Sequence, residues 1–266
     1  MRSMHAWFIA GVALVASASP YPHVAQAQPA AQCAVEPKAD ALLRKMSADL
    51  AELKAFRFNT DSVMEVVTRQ GERIQGIAES TVWVQRPNKL RVDRMGPRGG
   101  ATVYYDGSML SIYGKRDNLY ATTQAPDNLD ATIDFARDQL SLDAPGADLL
   151  YGNPYAALTD DVVSGRYLGV EPVGNRMCHH LAFRGNETDW QLWVEDGPRA
   201  LPCRFVIVSK HETGAPQFAV TTSDWSPAPG FSPETFAFEP PPDAGKIDFV
   251  ALKDLARGAQ QPTTRR

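Results

Sequence analysis

The sequence lacks the local motifs that identify the common catalytic and nucleotide-binding sites. It contains no G-x-S-x-G nucleophile elbow, no H-E-x-x-H zinc motif, no phosphate-binding glycine loop and no dinucleotide fingerprint. His211-Glu212 begins like the zinc motif, but no second histidine follows at the required spacing. These absences favour a non-catalytic protein that holds no cofactor and no metal ion.

Basic clusters and a second long apolar run are also missing. The 266 residues carry 27 Lys+Arg and 31 Asp+Glu, for a formal net charge of −4, and an acidic chain without a basic patch is a poor partner for nucleic acid. The apolar run Ala6–Ala18 follows Arg2 and precedes Ala25 and Ala27, which fit an A-x-A cleavage site. We therefore expect residues 1–27 to be a cleaved signal peptide, the mature chain to be periplasmic, and no transmembrane segment to remain. A retained N-terminal anchor is the alternative.

Cysteine is scarce, with only Cys33, Cys178 and Cys203. In an oxidising compartment, three cysteines allow one disulfide and one free thiol in three possible pairings. Cys178 and Cys203 both begin predicted strands of neighbouring hairpins, so we favour a Cys178–Cys203 bridge. A bridge from Cys33 that ties down the N-terminus is the alternative.

What the sequence does contain is a long series of short alternating segments. They predict strands at residues 56–69, 74–85, 90–95, 102–105, 109–113, 119–125, 162–173, 177–184, 190–194, 203–210, 217–225 and 235–239. Thr60-Asp61-Ser62 interrupts the first strand and predicts a bulge there. Apolar residues at helical spacing predict one helix over 40–53 and another over 128–141, which Asp127 or Asn128 can cap. Short helical turns are expected over 145–161.

The run from Arg86 to Pro126 is the clearest example of this pattern. Its short strands are separated by turn signals such as Asp106-Gly107, and a helical stretch follows at once. This arrangement predicts an up-and-down antiparallel sheet with a helix laid across it. We expect a single domain over 28–257 and a disordered polar tail over 258–266.

The pair His179-His180 is the most obvious candidate for a metal site. Neighbouring residues on a strand point to opposite faces of the sheet, so the two rings cannot easily reach one ion. His179 shares a face with Leu181 and Phe183, whereas His180 shares a face with Cys178. We therefore expect two structural histidines.

Aromatic and small residues on the predicted strands favour an apolar cavity. Gly76, Ala78 and Ser80 leave room above their strand, and amphipathic rings on neighbouring strands can line a binding site for an apolar ligand. Core packing is the alternative for each single residue. The candidate lining residues, chosen by strand parity or helical face, are Phe58, Met64, Val82, Tyr104, Leu110, Ile112, Leu129, Ile133 and Leu181.

Several motifs resemble a known group of proteins. They are Arg86-Pro87-Asn88-Lys89-Leu90-Arg91, Tyr105-Asp106-Gly107-Ser108-Met109-Leu110, Tyr113, Tyr120, the strand with Cys178, His180, Leu181 and Phe183, Asp189-Trp190-Gln191-Leu192-Trp193, Leu201-Pro202, Phe236-Ala237-Phe238-Glu239-Pro240-Pro241, Ala244, Lys246 and Ile247. With these motifs the chain resembles the LolA/LolB/LppX-type periplasmic carriers, and more closely a group of predicted periplasmic proteins of unknown function. Cys203 departs from the pattern of that group.

The resemblance implies an α+β fold that is mostly antiparallel β, with a curved half-barrel sheet and helices covering its concave face. It also implies a monomeric, non-catalytic periplasmic carrier for a lipid, the acyl chains of a lipoprotein or another apolar ligand. An envelope protein is a further candidate partner. The alternative is an envelope protein-interaction or stress-sensing module that binds a peptide or protein.

Overall fold

The computed structural model describes residues 34–97, 99–142, 144–228 and 230–249. The predicted signal peptide, Cys33 and the predicted tail lie outside these ranges, so they stay predictions. The predicted domain boundaries at 28 and 257 also lie outside these ranges and stay predictions.

Twelve strands and three α-helices make up the described part of the chain. In chain order they are α1 (Pro37–Glu52), β1 (Ala55–Val67), β2 (Arg73–Gln85), β3 (Lys89–Gly96), β4 (Gly99–Tyr105), β5 (Met109–Gly114), β6 (Leu119–Gln124), α2 (Leu129–Asp138), α3 (Pro154–Thr159), β7 (Val162–Val173), β8 (Arg176–Gly185), β9 (Thr188–Glu195), β10 (Pro202–Ser209), β11 (Gln217–Pro227) and β12 (Gly245–Lys246). Two 3₁₀ turns, Ala147–Leu150 and Pro233–Thr235, complete the described elements.

All strands belong to one sheet with the order β12-β6-β5-β4-β3-β2-β1-β11-β10-β9-β8-β7. Each pair is antiparallel except β12–β6, which is parallel. Two up-and-down runs, β1–β6 and β7–β11, are joined where β1 pairs with β11. The sheet does not close, because β12 and β7 lie at opposite ends. The predicted half-barrel fold is therefore confirmed.

The two faces of the sheet differ in composition. The inner face, which we define as the face that the helices cover, carries a row of directly paired residues: Phe58, Val82, Val92, Val103, Ile112 and Ala121. The outer face carries the row formed by their sequence neighbours: Arg57, Trp83, Arg91, Tyr104, Ser111 and Thr122. This alternation is the usual signature of a sheet with one buried and one more polar face.

Helix α1 lies on the inner face because its apolar residues form one stripe. Leu43, Met46 and Leu50 recur at helical spacing and are at most 1% exposed. Burying such side chains contributes about 1.5–3 kcal/mol each. Pro37 begins the helix, a position at which proline removes no hydrogen bond.

Three local predictions are wrong. Helix α2 ends at Asp138 instead of 141, because Ser141 takes a positive φ of 52° and the chain turns back there. Residues 235–239 form no strand; Thr235 ends a 3₁₀ turn, and the consecutive prolines Pro240, Pro241 and Pro242 follow residue 239. Residues 60–62 form a regular part of β1; the register against β11 shifts between Arg57 and Asn59, and the extra residue lies on β11.

Candidate functional site

The candidate site is the inner face of the sheet together with the segments that cover it. Under α1, the strands β7–β11 contribute tightly packed side chains: Leu181 and Leu192 are fully buried, and Phe183 is 2% exposed. Phe183 stacks on Trp190 with ring centroids 4.1 Å apart. The part of the inner face on β8 and β9 is a packed core.

Under α2, the inner face is less completely covered. Asn128 caps the helix by accepting a hydrogen bond from the Ala131 amide at 2.8 Å. Leu129 and Ile133 are buried against the sheet. Four sheet residues in this half remain only partly buried: Leu90, Val92, Val103 and Ile112.

Polar contacts hold the covering segments in place. Tyr155 of α3 donates its hydroxyl proton to Asp40 of α1 at 2.6 Å and accepts a hydrogen bond from Arg44 at 2.6 Å. The hydrogen bonds from Arg44 and Tyr155 lower the pKa of the Asp40 carboxyl. The Tyr155 amide also donates to the Ser47 hydroxyl at 2.9 Å, so α1 and α3 are joined at three points.

A second set of contacts joins α2 to the segment that follows it. The amide of Gly152 donates to both carboxylate oxygens of Asp130, at 2.9 and 3.1 Å. Tyr151 donates to Asp134 at 2.6 Å, and burial together with that hydrogen bond raises the pKa of Tyr151. The cover of the inner face is thus built from short pieces that are joined by side chains.

Arg86 lies beneath this cover, directly after β2. Its Nη1 donates to the carbonyl of Leu150 at 2.8 Å. Its Nε and Nη2 are shielded from solvent and have no hydrogen-bond partner among the described residues. Burial lowers the pKa of this guanidinium, and the negative charge of Asp130 acts in the opposite direction. A buried cation of this kind is unusual, because desolvating an unpaired charge is costly.

The structure places most of the predicted lining residues on the inner face. Phe58, Val82, Leu110, Leu129, Ile133 and Leu181 are buried in its core cluster, and Ile112 is partly buried against it. Phe58 also stacks on Trp225, with ring centroids 4.2 Å apart. That these residues line a ligand cavity stays a prediction.

Two of the predicted lining residues need correction. Tyr104 lies on the outer face, where it packs against Phe238, because its neighbour Tyr105 occupies the inner position. Met64 has inner-face parity but is 37% exposed, since it lies near the far end of the long β1–β2 hairpin. Arg86 was missed, although strand parity could have found it: Val82, Val84 and Arg86 alternate toward the inner face.

Of the remaining predicted features, His179 lies on the inner face, where it pairs with Val194, whereas His180 lies on the outer face. Cys178 and Cys203 form a disulfide, as predicted, and both are fully buried. His179 contacts the hydroxyl of Tyr167 at 3.2 Å, whereas His180 lies between Glu171 and Gln191 and stacks on Trp193. Within the described residues, no three His, Cys, Asp or Glu side chains are grouped so that they could hold a metal ion.

The two best-defined surface depressions in the described ranges are polar. One, of about 500 Å³, lies on the outer face between Asp61, Glu79, Asp93 and their neighbours. The other, of about 360 Å³, lies between α2 and α3 and is lined by Asp130, Asp134, Asp148 and Asp160 with Arg137. Neither is lined by the apolar residues of the inner face.

Fold and site together define an open antiparallel half-barrel whose apolar inner face lies under a segmented helical cover. The sequence profile of a family described as "Predicted periplasmic protein (DUF2092)" matches residues 39–250. The chain belongs to this family. No curated protein matches the sequence significantly.

Solved structures with a similar arrangement share little sequence with this chain. An uncharacterized conserved protein from Thermus thermophilus is 12% identical over 79% of this chain and 99% of its own, with a TM-score of 0.47. The lipoprotein LppX from Mycobacterium tuberculosis is 12% identical over 71% of this chain and 96% of its own, with a TM-score of 0.46. A LolA superfamily protein from Nitrosomonas europaea is 13% identical over 75% of this chain and 97% of its own, with a TM-score of 0.40.

Among the described helices, none has both the length and the apolar character that crossing a membrane would require.

Proposed function

We propose that this protein is a non-catalytic periplasmic carrier that binds a lipid, a lipidated protein or another apolar ligand on the inner face of its sheet. Cleavage of the predicted signal peptide would deliver the mature chain to the periplasm. The observation that carries the proposal is the inner face itself: a continuous apolar surface across the sheet, closed by a cover of short segments.

The cover is built in a way that permits opening. Helix α2 has ten residues and α3 has six, and helices this short are marginal unless they are packed against something. Their attachments are mostly single side-chain hydrogen bonds, each contributing about 0.5–1.5 kcal/mol. Replacing their apolar contacts by those of an acyl chain would leave the buried area nearly unchanged, so opening and loading can be close in free energy.

Ligand binding would be driven by the hydrophobic effect. An acyl chain that leaves water gains about 25 cal/mol for each Å² of apolar surface that is buried. We expect the chain to bind first along Val92, Val103 and Ile112, because these side chains of the inner row are only partly buried. Displacement of α2 would then extend the site toward the core under α1.

The experiment is to purify the mature protein from a periplasmic extract without detergent. Native mass spectrometry, followed by solvent extraction of the same sample, should reveal a co-purifying lipid or acylated species. Its mass identifies the ligand class. The carrier proposal would be contradicted if the native protein carried no apolar material and the pure protein bound no added apolar probe.

A matched pair of variants locates the binding surface. Val103→Asp places a carboxylate in the inner row, whereas Thr122→Asp places the same charge on the outer face two strands away. Both positions are partly buried. We expect only the inner variant to lose the bound lipid, since burying an unpaired carboxylate against an acyl chain is unfavourable. Equal loss in both variants would point to general destabilisation instead.

The edge of the sheet at β7 favours a second candidate function, a module that binds an envelope protein or peptide. Among the described residues, the segment 34–36 pairs with β7 around Gly165, no strand lies beyond the rest of β7, and Leu168 and Val170 are 46% and 41% exposed. An open edge of this kind can accept an added strand. A lipid-free protein that retains one defined envelope partner in the same purification would support this candidate over the carrier.

A further inference from the structure

Arg86 is partly buried, and the shielding of two of its guanidinium nitrogens is not explained by the packing of the inner face. It follows Val82 and Val84 in strand alternation, so its side chain continues the inner face of β2. Its Cζ lies 5.9 Å from the ring centroid of Phe56, a fully buried residue. The guanidinium therefore lies in apolar surroundings under the cover.

The hydrogen bonding of this guanidinium is incomplete in a specific way. Within the described residues, Nη1 has a partner, the carbonyl of Leu150. Nε and Nη2, which are buried and unpartnered in the described parts of the chain, lie along one edge of the planar group. These two nitrogens form the fork that contacts two oxygens of a carboxylate or phosphate at once.

Asp130 is the acidic residue whose charge acts on Arg86, and it does not complete the fork. Its two carboxylate oxygens accept hydrogen bonds from the Gly152 amide instead. It partly compensates the charge from a distance. The unused donors of Arg86 thus remain available to a group that arrives with the ligand.

We propose that Arg86 binds the oxyanion head of an amphiphilic ligand through Nε and Nη2, while the apolar chain of that ligand occupies the inner face. The inference rests on the proposed carrier function and narrows its ligand to anionic amphiphiles, such as a fatty acid or an alkyl phosphate. Opening of the 3₁₀ turn Ala147–Leu150 would release the Leu150 carbonyl and admit the head group. The bound oxyanion would then pair with Nε and Nη2, the two nitrogens that lack a partner in the closed arrangement.

The test measures displacement of the neutral fluorescent probe N-phenyl-naphthylamine from the pure mature protein. Hexadecanoate and hexadecyl phosphate are compared with methyl hexadecanoate, which has the same chain and no charge. We expect the two anions to compete about ten- to a hundredfold more strongly than the ester, because hydrogen bonds between charged groups contribute that much to affinity. Inorganic phosphate alone should not displace the probe.

Two variants and one control assign the discrimination to Arg86. Arg86→Met should bind the ester as the parent protein does and lose the preference for the anions. Arg86→Lys, which keeps the charge without the fork, should retain part of that preference. Arg57→Met removes the same charge from an exposed outer-face position and should change nothing. The comparison of acid with ester in the unmodified protein needs no variant: equal competition overturns the inference even if Arg86→Met fails to fold, and Arg86→Lys then assigns any preference to this residue.

The outcomes separate this inference from the proposed function. If the probe binds and is displaced equally by hexadecanoate, hexadecyl phosphate and methyl hexadecanoate, the carrier function stands and the role of Arg86 is overturned. Displacement by inorganic phosphate would overturn the amphiphile and indicate a site for free anions. If neither the probe nor any amphiphile binds, the carrier function fails, and the inference fails with it.

Discussion

The two halves of the inner face differ in how completely their side chains are buried. Leu181, Phe183 and Leu192 of β8 and β9 are almost completely buried, whereas Val92, Val103 and Ile112 of β3–β5 are only partly buried. The lengths of the covering helices explain much of this difference. At 1.5 Å per residue, the 16 residues of α1 span about 24 Å and the 10 residues of α2 about 15 Å.

This difference suggests that the two halves of the sheet have different roles. A half that is fully packed stabilises the fold, and its side chains cannot move without a large cost. A half that is partly covered by a short helix can exchange its cover for a ligand at a small cost. We therefore expect stability to depend mainly on the first half and ligand binding mainly on the second.

The largest expected effect comes from removing a ring in the packed half. Phe183→Ala deletes a side chain that is 2% exposed and stacked on Trp190, and we expect it to lower the free energy of unfolding by about 3–5 kcal/mol. Ile112→Ala, in the partly covered half, should cost at most about 2 kcal/mol because part of its surface is already in water. Urea unfolding of both variants measures the contrast. Equal losses would show that the two halves are packed alike.

Removing the disulfide should have the next largest effect, again confined to the packed half. Cys178 and Cys203 close a loop with a sequence separation of 25, for which loop-closure entropy gives a stabilisation of about 3 kcal/mol. The double variant Cys178→Ala with Cys203→Ala should unfold at correspondingly lower urea concentration. Hydrogen exchange should increase in β8–β10 and remain unchanged in β3–β6. Exchange that rises equally in both regions would mean that the halves unfold as one unit.

Some features of the fold can be predicted from the sequence, and others cannot. Strand alternation gives nearly all strands and the open antiparallel class, because each strand has one buried face and a period of two. The Cys178–Cys203 pairing follows from the neighbouring hairpins. The position of Tyr104 is wrong because Tyr104 and Tyr105 are chemically alike, and only the register of β3 against β4 decides which one points inward.

Other features depend on contacts that are distant in the sequence. Arg86 has a clear strand parity, but its incomplete hydrogen bonding depends on Leu150, which lies 64 positions away. The end of α2 depends on a turn at Ser141 that helical periodicity does not reveal. The irregular path of residues 236–239 is fixed where Phe238 packs against Tyr104, Tyr113 and Tyr120 on the outer face.

A change at the start of α2 tests the partly buried half of the inner face. Asn128→Ala removes the capping hydrogen bond to the Ala131 amide, and loss of such a cap costs about 1 kcal/mol. Because α2 covers only the partly buried half, we expect faster hydrogen exchange within 129–138 and faster uptake of an apolar probe, without a change in α1. Asn153→Ala, which removes the longer 3.3 Å cap of α3, is the matched control. Slower probe uptake in the Asn128 variant would show that α2 does not control access.

The smallest expected effect is a pH dependence at the junction of α1 and α3. The pKa of Asp40 is lowered by its hydrogen bonds from Arg44 and Tyr155, so its contribution to stability is complete above its ordinary value of 3.8 and is lost as the pH falls through the lowered value. The side chain is 35% exposed, and solvent screening limits the contribution to about 0.5 kcal/mol or less.

Asp40→Asn should therefore lower stability slightly at neutral pH and flatten its decline in acid. Asp138→Asn, on the exposed side of α2, should leave both unchanged. Thermal unfolding of the two variants between about pH 2 and 7 spans the range in which carboxyl groups titrate. If Asp40→Asn instead accelerates probe uptake as much as Asn128→Ala does, α1 also opens during binding. The packed half would then belong to the moving cover.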